Sequence, residues 1–221
     1  MAGRYPQANN LDAFWENLCN GTDCVTDIPE QRWDWRNYFN ENVGTPGKTY
    51  SRWGAFLDNV GHFDPSFFGI APSEAANHDP QARLFHTVAW ETLEHAGYGA
   101  RHSTPKNTGV WVGYSHDHYY EQRIKGEEHQ LRGLGLETSV ANQFSYFMDW
   151  HGPSLVVNTL CSSSLVAVHQ AAHSLQRGEC EMALVGGVHA ALSPEYYISM
   201  SHQRALSPSG RCRTFDISAD G

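Results

Sequence analysis

A cysteine stands alone in VVNTLCSSSLVAVHQAAHSL, Val156 to Leu175. β-Branched residues lead into Cys161, three serines follow it, and a helical pattern begins at once. A strand over 154–159 and a helix over 162–177 place the thiol at a helix start. The first N–H groups of a helix lack intrahelical partners and carry partial positive charge. A thiol so placed is favoured as its thiolate, the form that attacks a carbonyl or thioester carbon. The same N–H groups can stabilise a developing oxyanion. The serines suit a first turn, where hydroxyls bond backbone N–H groups. A small, buried, structural cysteine is the competing reading, and the residues alone leave both open.

The elements around Cys161 must aim it. Leu165, Val168, Ala172 and Leu175 are expected on one helix face, locked against a sheet, with Gly178 ending the helix. EMALVGGV (181–188) and TGVWVGY (108–114) read as further strands, and 139–148 as a helix ended by Gly152-Pro153. DPQARLFHTVAWETLEHAGY (79–98) reads as a helix with Asp79 as N-cap, Pro80 at its first position and Gly97 as its stop. Its apolar face is expected to include Leu84, Val88 and Leu93. A short helix over Leu11–Cys19 stops before Gly21. Residues 22–62 read as loop-rich and aromatic, and 116–136 as polar and irregular. Strands alternating with helices imply an α/β architecture, with a mostly parallel or mixed sheet and helices on both faces.

Composition excludes several classes. The 221 residues carry 40% hydrophobic content, enough for a substantial core. No apolar run is long enough to span a membrane, and no basic-then-apolar leader opens the sequence, so a cytoplasmic protein is expected. Fifteen basic against 24 acidic residues give a formal charge of −9, which argues against broad nucleic-acid binding. The other cysteines, Cys19, Cys24, Cys180 and Cys212, match no zinc spacing and are expected to be reduced, small, buried hydrophobes. His169 and His173 are spaced i, i+4 on the helix after Cys161, but no third ligand is evident, so no metal site is expected. His116 and His118 read as solvated loop residues, and His151 as structural in its turn. Gly186-Gly187 lacks the Lys-Ser/Thr of a phosphate loop, and close packing is expected there.

NTLCSSSLVAVHQAAHSLQRGECEMALVGGV closely resembles the active-site region of the ketosynthase domains of modular polyketide synthases. The resemblance extends over 1–221. MAGRYPQANNLDAFWENL is similar to the family's opening segment. So is GHFDPSFFGIAPSEAANHDPQARLFHTVAWETLEHAGY, with its FFGI and DPQ-R-L elements. FSYFMDWHGPSLVVNT resembles the segment leading into the nucleophile, and LSPSGRCRTFDISADG the loop well after it. The DWHGPS and GVWVGY spellings resemble the trans-acyltransferase type.

This resemblance implies the N-terminal half of a thiolase-like fold that is homodimeric when complete, with the segment from Trp150 to Ser154 and the strand after it near the dimer interface. It implies a decarboxylative Claisen condensation. Cys161 would accept an acyl chain from the phosphopantetheine thiol of an acyl carrier protein, and its own N–H would be one oxyanion donor. A malonyl-type extender on a second carrier protein would then lose CO2 and attack the acyl-cysteine. No cofactor is expected to be bound directly, because phosphopantetheine rides on the carrier protein.

Two departures stand out. Where the family usually has D-T-A-C, this sequence has Asn158-Thr159-Leu160-Cys161, and the bulk of Leu160 suggests substrate tuning, together with the loop over 114–137. The family's HGTGT-like and N-x-G-H histidine motifs do not occur in these residues, so a domain incomplete at both ends, its catalytic histidines elsewhere, is expected. A chain-passing domain that does not elongate, a non-catalytic docking or dimerisation module, and a cysteine hydrolase are the alternatives.

Overall fold

The computed structural model describes residues 1–100, 103–116, 119 and 139–221. Along the chain run helix α1 (Leu11–Asn20), two-residue strands β1 (Thr26–Asp27) and β2 (Trp53–Gly54), helix α2 (Pro72–Ala75) and helix α3 (Pro80–His95). Strand β3 (Thr108–Gly113), helix α4 (Ser139–Met148), strand β4 (Ser154–Val157), helix α5 (Ser163–Gln176), strand β5 (Met182–Gly187) and helix α6 (Pro194–His202) follow. They fall into two compact units, Met1–Gly3 with Asn59–His189 and Arg4–Asp58 with Ala190–Gly221.

The larger unit is built on a parallel three-stranded sheet in the order β4-β3-β5. β3 lies between the other two and is buried along its whole length, as expected of a strand covered on both faces. Its residues alternate between the faces. Val110 and Val112 pack with Phe85 and Ala89 of α3 and with Phe144 and Met148 of α4. Trp111 points the other way and packs with Ala167 and Ala171 of α5. Helices therefore cover both faces, as the alternation of elements implies. α3 starts where expected, with Asp79 Oδ1 accepting from the Gln81 N–H at 2.7 Å and Pro80 at its first position. Its buried face is Ala82, Phe85, Ala89 and Leu93, whereas Leu84 and Val88 sit at its half-buried flank.

α5 reverses one expectation. Ser163, Ala167, Ala171 and Ser174 face the sheet, while Leu165, Val168, Ala172 and Leu175 face outward. Leu165 is 78% exposed. The indole of Trp111 lies beneath α5, and only small side chains let a helix approach so closely. β4 is also shorter than expected, ending at Val157.

The smaller unit has little regular structure. Asn10 caps α1 through its side chain, and Gly21 ends the helix at φ 60°. β1 and β2 form an antiparallel ladder, Thr26 opposite Gly54 and Asp27 opposite Trp53. Ile28, Trp33 and Tyr197 make the core. Beside it, guanidinium groups and indoles alternate. Arg36 and Arg52 lie 5.3 Å and 4.9 Å from the Trp35 ring, and Arg52 and Arg211 lie 5.0 Å and 5.9 Å from that of Trp53. Each arginine is also ion-paired: Arg36 with Glu30 and Asp34, Arg52 with Asp27, and Arg211 with Asp23.

Candidate functional site

Between the end of β4 and the first turn of α5 the chain makes a 3-10 turn, Leu160–Ser162. Cys161 lies inside that turn and is exposed, so the buried-cysteine reading is not what the structure shows. The α-helix proper begins two residues later, at Ser163. Leu160 has φ 56°, a left-handed conformation that costs a residue with a Cβ roughly 1–2 kcal/mol. The turn sits beyond the C-terminal edge of a parallel sheet, where ligand sites of α/β folds collect.

The serines hold the turn differently from simple caps. The Ser163 hydroxyl accepts from the Thr159 N–H at 3.0 Å and donates to the Leu160 carbonyl at 2.7 Å. The Ser162 hydroxyl turns back to the Thr159 carbonyl at 2.9 Å. Neither serine caps the first N–H groups of α5. Asn158 accepts from the Leu160 N–H at 3.3 Å, and its amide donates to the Ser115 carbonyl at 3.4 Å. A carboxylate at 158 would lack that N–H donor.

Two glycines set the height of α5 above the sheet. A Cβ on Gly113, at the end of β3, would lie 2.9 Å from the Ser164 backbone nitrogen. One on Gly187, at the end of β5, would collide with the Ser164 hydroxyl, and one on Gly186 would lie 2.9 Å from the Phe85 ring. The Gly-Gly pair is thus a close-packing device, as its sequence suggests.

A buried polar network continues from β3. The Tyr114 hydroxyl donates to Asp79 Oδ2 at 2.7 Å, and the Gln81 amide donates to the His116 carbonyl at 2.8 Å. The N-cap of α3 is thereby tied to the chain leaving β3, next to Ser115. His86 is 2% exposed and lies within 3.2 Å of the Val140 carbonyl. Its burial pushes the imidazole down to about 4.

The remaining expected groups fall elsewhere. His116 is half-buried rather than solvated, while His118 and most of the loop over 114–137 lie outside the described residues. The His151 N–H donates to the Lys106 carbonyl at 2.8 Å, and its ring lies 3.2 Å from Asp149, which Lys106 also contacts. Asp149 is held below the usual carboxylate range by Lys106 first and His151 second. His169 and His173 stack edge to face, ring centroids 4.3 Å apart. No group of three metal-ligating side chains occurs among the described residues. Of the other cysteines only Cys180 is buried; Cys19 and Cys212 are exposed and Cys24 half-buried. Exposed loops and a helix flank carry them, positions that a cysteine count cannot distinguish from a core. No described helix is long and apolar enough to cross a membrane. Reading the sequence missed the left-handed residue and the Ser163 bracket.

The family described as beta-ketoacyl synthase, N-terminal domain, matches residues 1–221. The chain is 45% identical to polyketide synthase PksL of Bacillus subtilis and 46% identical to polyketide synthase ThaG of Burkholderia thailandensis. It is matched over its full length in both but spans only 5% and 4% of those proteins. Among solved structures, the oxazolomycin ketosynthase domain OzmH KS7 of Streptomyces albus superposes with a TM-score of 0.92 at 42% identity. The match covers all of this chain and 38% of that one. The ketosynthase from module 6 of the Bacillus subtilis bacillaene synthase gives 0.87 at 38% identity, with 36% of its chain covered.

Proposed function

The chain belongs to the beta-ketoacyl synthase N-terminal domain family, within the polyketide synthases and with the thiolase-like α/β fold, and from that premise we propose that Cys161 is its acyl-accepting nucleophile. The observation that carries this reading is the exposed thiol on a left-handed-entry 3-10 turn at the C-terminal edge of the parallel sheet. The Cys161 sulfur attacks the thioester carbonyl of an acyl chain carried on the phosphopantetheine of an acyl carrier protein. A tetrahedral oxyanion forms, with the Cys161 N–H as one donor. The phosphopantetheine sulfur leaves, and the acyl group remains on Cys161.

Condensation completes the proposed cycle. A malonyl-type extender loses CO2, its carbanion attacks the acyl-cysteine carbonyl, and the Cys161 sulfur departs. The histidines that would polarise the extender lie in motifs not found among these 221 residues. The part assigned to this chain is therefore acylation, in an elongating, homodimeric, cytoplasmic synthase.

Incubating the protein with an acyl N-acetylcysteamine thioester should add one acyl mass, mapping to the Cys161 peptide and absent in Cys161→Ser. An adduct elsewhere, or none, would remove the nucleophile assignment. In the full-length synthase that carries this chain, acylation without CO2 release from a malonyl-carrier would instead favour the chain-passing alternative. A docking role draws on a separate observation, the outward apolar stripe Leu165, Val168 and Leu175 on α5. Under the leading reading that stripe is where the rest of the enzyme packs.

A further inference from the structure

We propose that the Ser163 hydroxyl is the positioning group for Cys161, acting by holding Leu160 in its left-handed conformation. The inference rests on the assignment of Cys161 as nucleophile, but the thiol's own reactivity tests it separately. Ser163 is 5% exposed, and its hydroxyl bonds the backbone at both ends of the Thr159-Leu160 pair that precedes Cys161. It accepts from the Thr159 N–H at 3.0 Å and donates to the Leu160 carbonyl at 2.7 Å. Between those two groups lies the left-handed residue, at φ 56°. A leucine does not choose that region unaided. With the bracket gone, Leu160 relaxes to negative φ and the Cys161 Cα turns away from its present direction.

The bracket is itself anchored. A hydroxyl has one proton and two acceptor sites. Because the Ser163 proton goes to the Leu160 carbonyl, the contact with Ser115 at 3.4 Å has Ser115 as donor. Ser115 directly follows Tyr114, which is fixed to Asp79. The first turn of α5 also cannot sink toward the sheet, because Ser164 already sits against Gly113 and Gly187. The hydroxyl of Ser163 is thus held from below and from the side while it constrains the residue before the nucleophile. Thr159, whose own φ is −129°, contributes its N–H to Ser163, and its carbonyl and side-chain hydroxyl both lie 2.9 Å from the Ser162 hydroxyl.

The test is iodoacetamide alkylation of the intact protein that carries this chain, followed peptide by peptide by mass spectrometry. Cys212 is exposed and serves as an internal standard, while buried Cys180 reports the fold. In Ser163→Ala the Cys161 rate is expected to fall about tenfold, the population shift of a left-handed residue that has lost its restraint. Cys212 should be unchanged and Cys180 still protected. Glycine adopts the left-handed region freely, so Leu160→Gly added to Ser163→Ala should return Cys161 to within about twofold of the starting rate. A Cys161 rate in Ser163→Ala within about twofold of the parent, with Cys180 protected, would overturn the proposal. So would a double variant as slow as the single one. If Ser163→Ala alone exposes Cys180, the double variant decides: refolding with a restored Cys161 rate supports the bracket, and anything else refutes it. A protein whose Cys161 alkylates as described but takes no acyl group would refute the acyl-acceptor reading and leave the positioning inference standing.

Discussion

The two units solve the problem of holding a chain still in different ways. In the larger one the backbone does the positioning. Strands end in glycines, α5 presents serine and alanine to the sheet, and in the turn that carries Cys161 a buried serine hydroxyl fastens main-chain N–H and carbonyl groups. The smaller unit relies on large side chains. Its core is Trp33, Ile28 and Tyr197, its ladder has two residues per strand, and its surface alternates arginine with tryptophan. The difference teaches where chemistry is placed. A thiol needs a direction fixed to a fraction of an ångström, which close-packed backbone supplies and adaptable side-chain contacts do not.

The largest effect that would sharpen this contrast comes from pH, because His86 in the larger unit and Tyr197 in the smaller are buried titratable groups of opposite kind. His86 in the larger unit is pushed down to about 4 from 6.5 by burial, which outweighs its bond to the Val140 carbonyl. Between those values the unfolded chain binds more protons than the native one. Stability is therefore complete above pH 6.5 and falls as pH drops toward 4, by about 3 kcal/mol at most. Tyr197 in the smaller unit is pushed up to about 12 from 10.0, by burial and then by Tyr196. Here the native chain retains the proton longer, so stability is complete below pH 10 and is lost as pH rises through 12, by about 2–3 kcal/mol. Peptide-resolved hydrogen exchange should show α3 and α4 loosening first in acid and α6 first in alkali. His86→Gln, which keeps a donor for Val140, should flatten the acid limb alone. An acid limb that survives in that variant would show that His86 is not its source.

A smaller effect separates the two kinds of glycine. A Cβ on Gly113 meets the Ser164 backbone, nitrogen at 2.9 Å and Cα at 3.0 Å, and backbone cannot swing aside. Gly113→Ala should cost about 1–3 kcal/mol and slow acyl-adduct formation at Cys161. The atoms nearest a Cβ on Gly54 belong to side chains, the Tyr197 hydroxyl and the Phe56 ring. Gly54→Ala should cost less in urea denaturation and leave the adduct rate unchanged. If Gly54→Ala proves the costlier of the two, backbone contact is not what stiffens the larger unit.

The same contrast explains what could be read from the sequence. The β-α-β unit around Cys161 was legible because periodicity and punctuation agree there: β-branched residues, then a helical pattern, then Gly178. Asp79-Pro80 announced α3 for the same reason. Which side of α5 faces inward was not legible. Its leucines and valines form a proper apolar stripe, yet the indole of Trp111 demanded the smaller residues instead. Nor could the sequence show that Leu160 is left-handed, since that conformation is imposed from three residues downstream by a hydroxyl. In the smaller unit, residues 22–62 read only as loop-rich and aromatic. Pairing of guanidinium groups with indoles depends on neighbours far apart in sequence, such as Arg211 with Trp53, and leaves no period to detect.

The smallest expected effect tests whether the arginine–tryptophan stack is a surface fitting or a support. Arg52 lies between two indoles, 4.9 Å from that of Trp35 and 5.0 Å from that of Trp53, with its Nε 3.2 Å from Asp27. Arg52 and Asp27 are both substantially exposed, so their ion pair contributes little. What a lysine cannot reproduce is the flat guanidinium that covers two ring faces at once. Arg52→Lys keeps the charge and removes that plate, and should cost about 0.5–1 kcal/mol in the urea midpoint. Alkylation of Cys161 should proceed at the parent rate, since no bond of the 159–163 turn involves this stack. A loss well above 1 kcal/mol would make the stack a support of the smaller unit's fold. A changed Cys161 rate would break the comparison itself, because side-chain stacking in one unit would then be governing backbone geometry in the other.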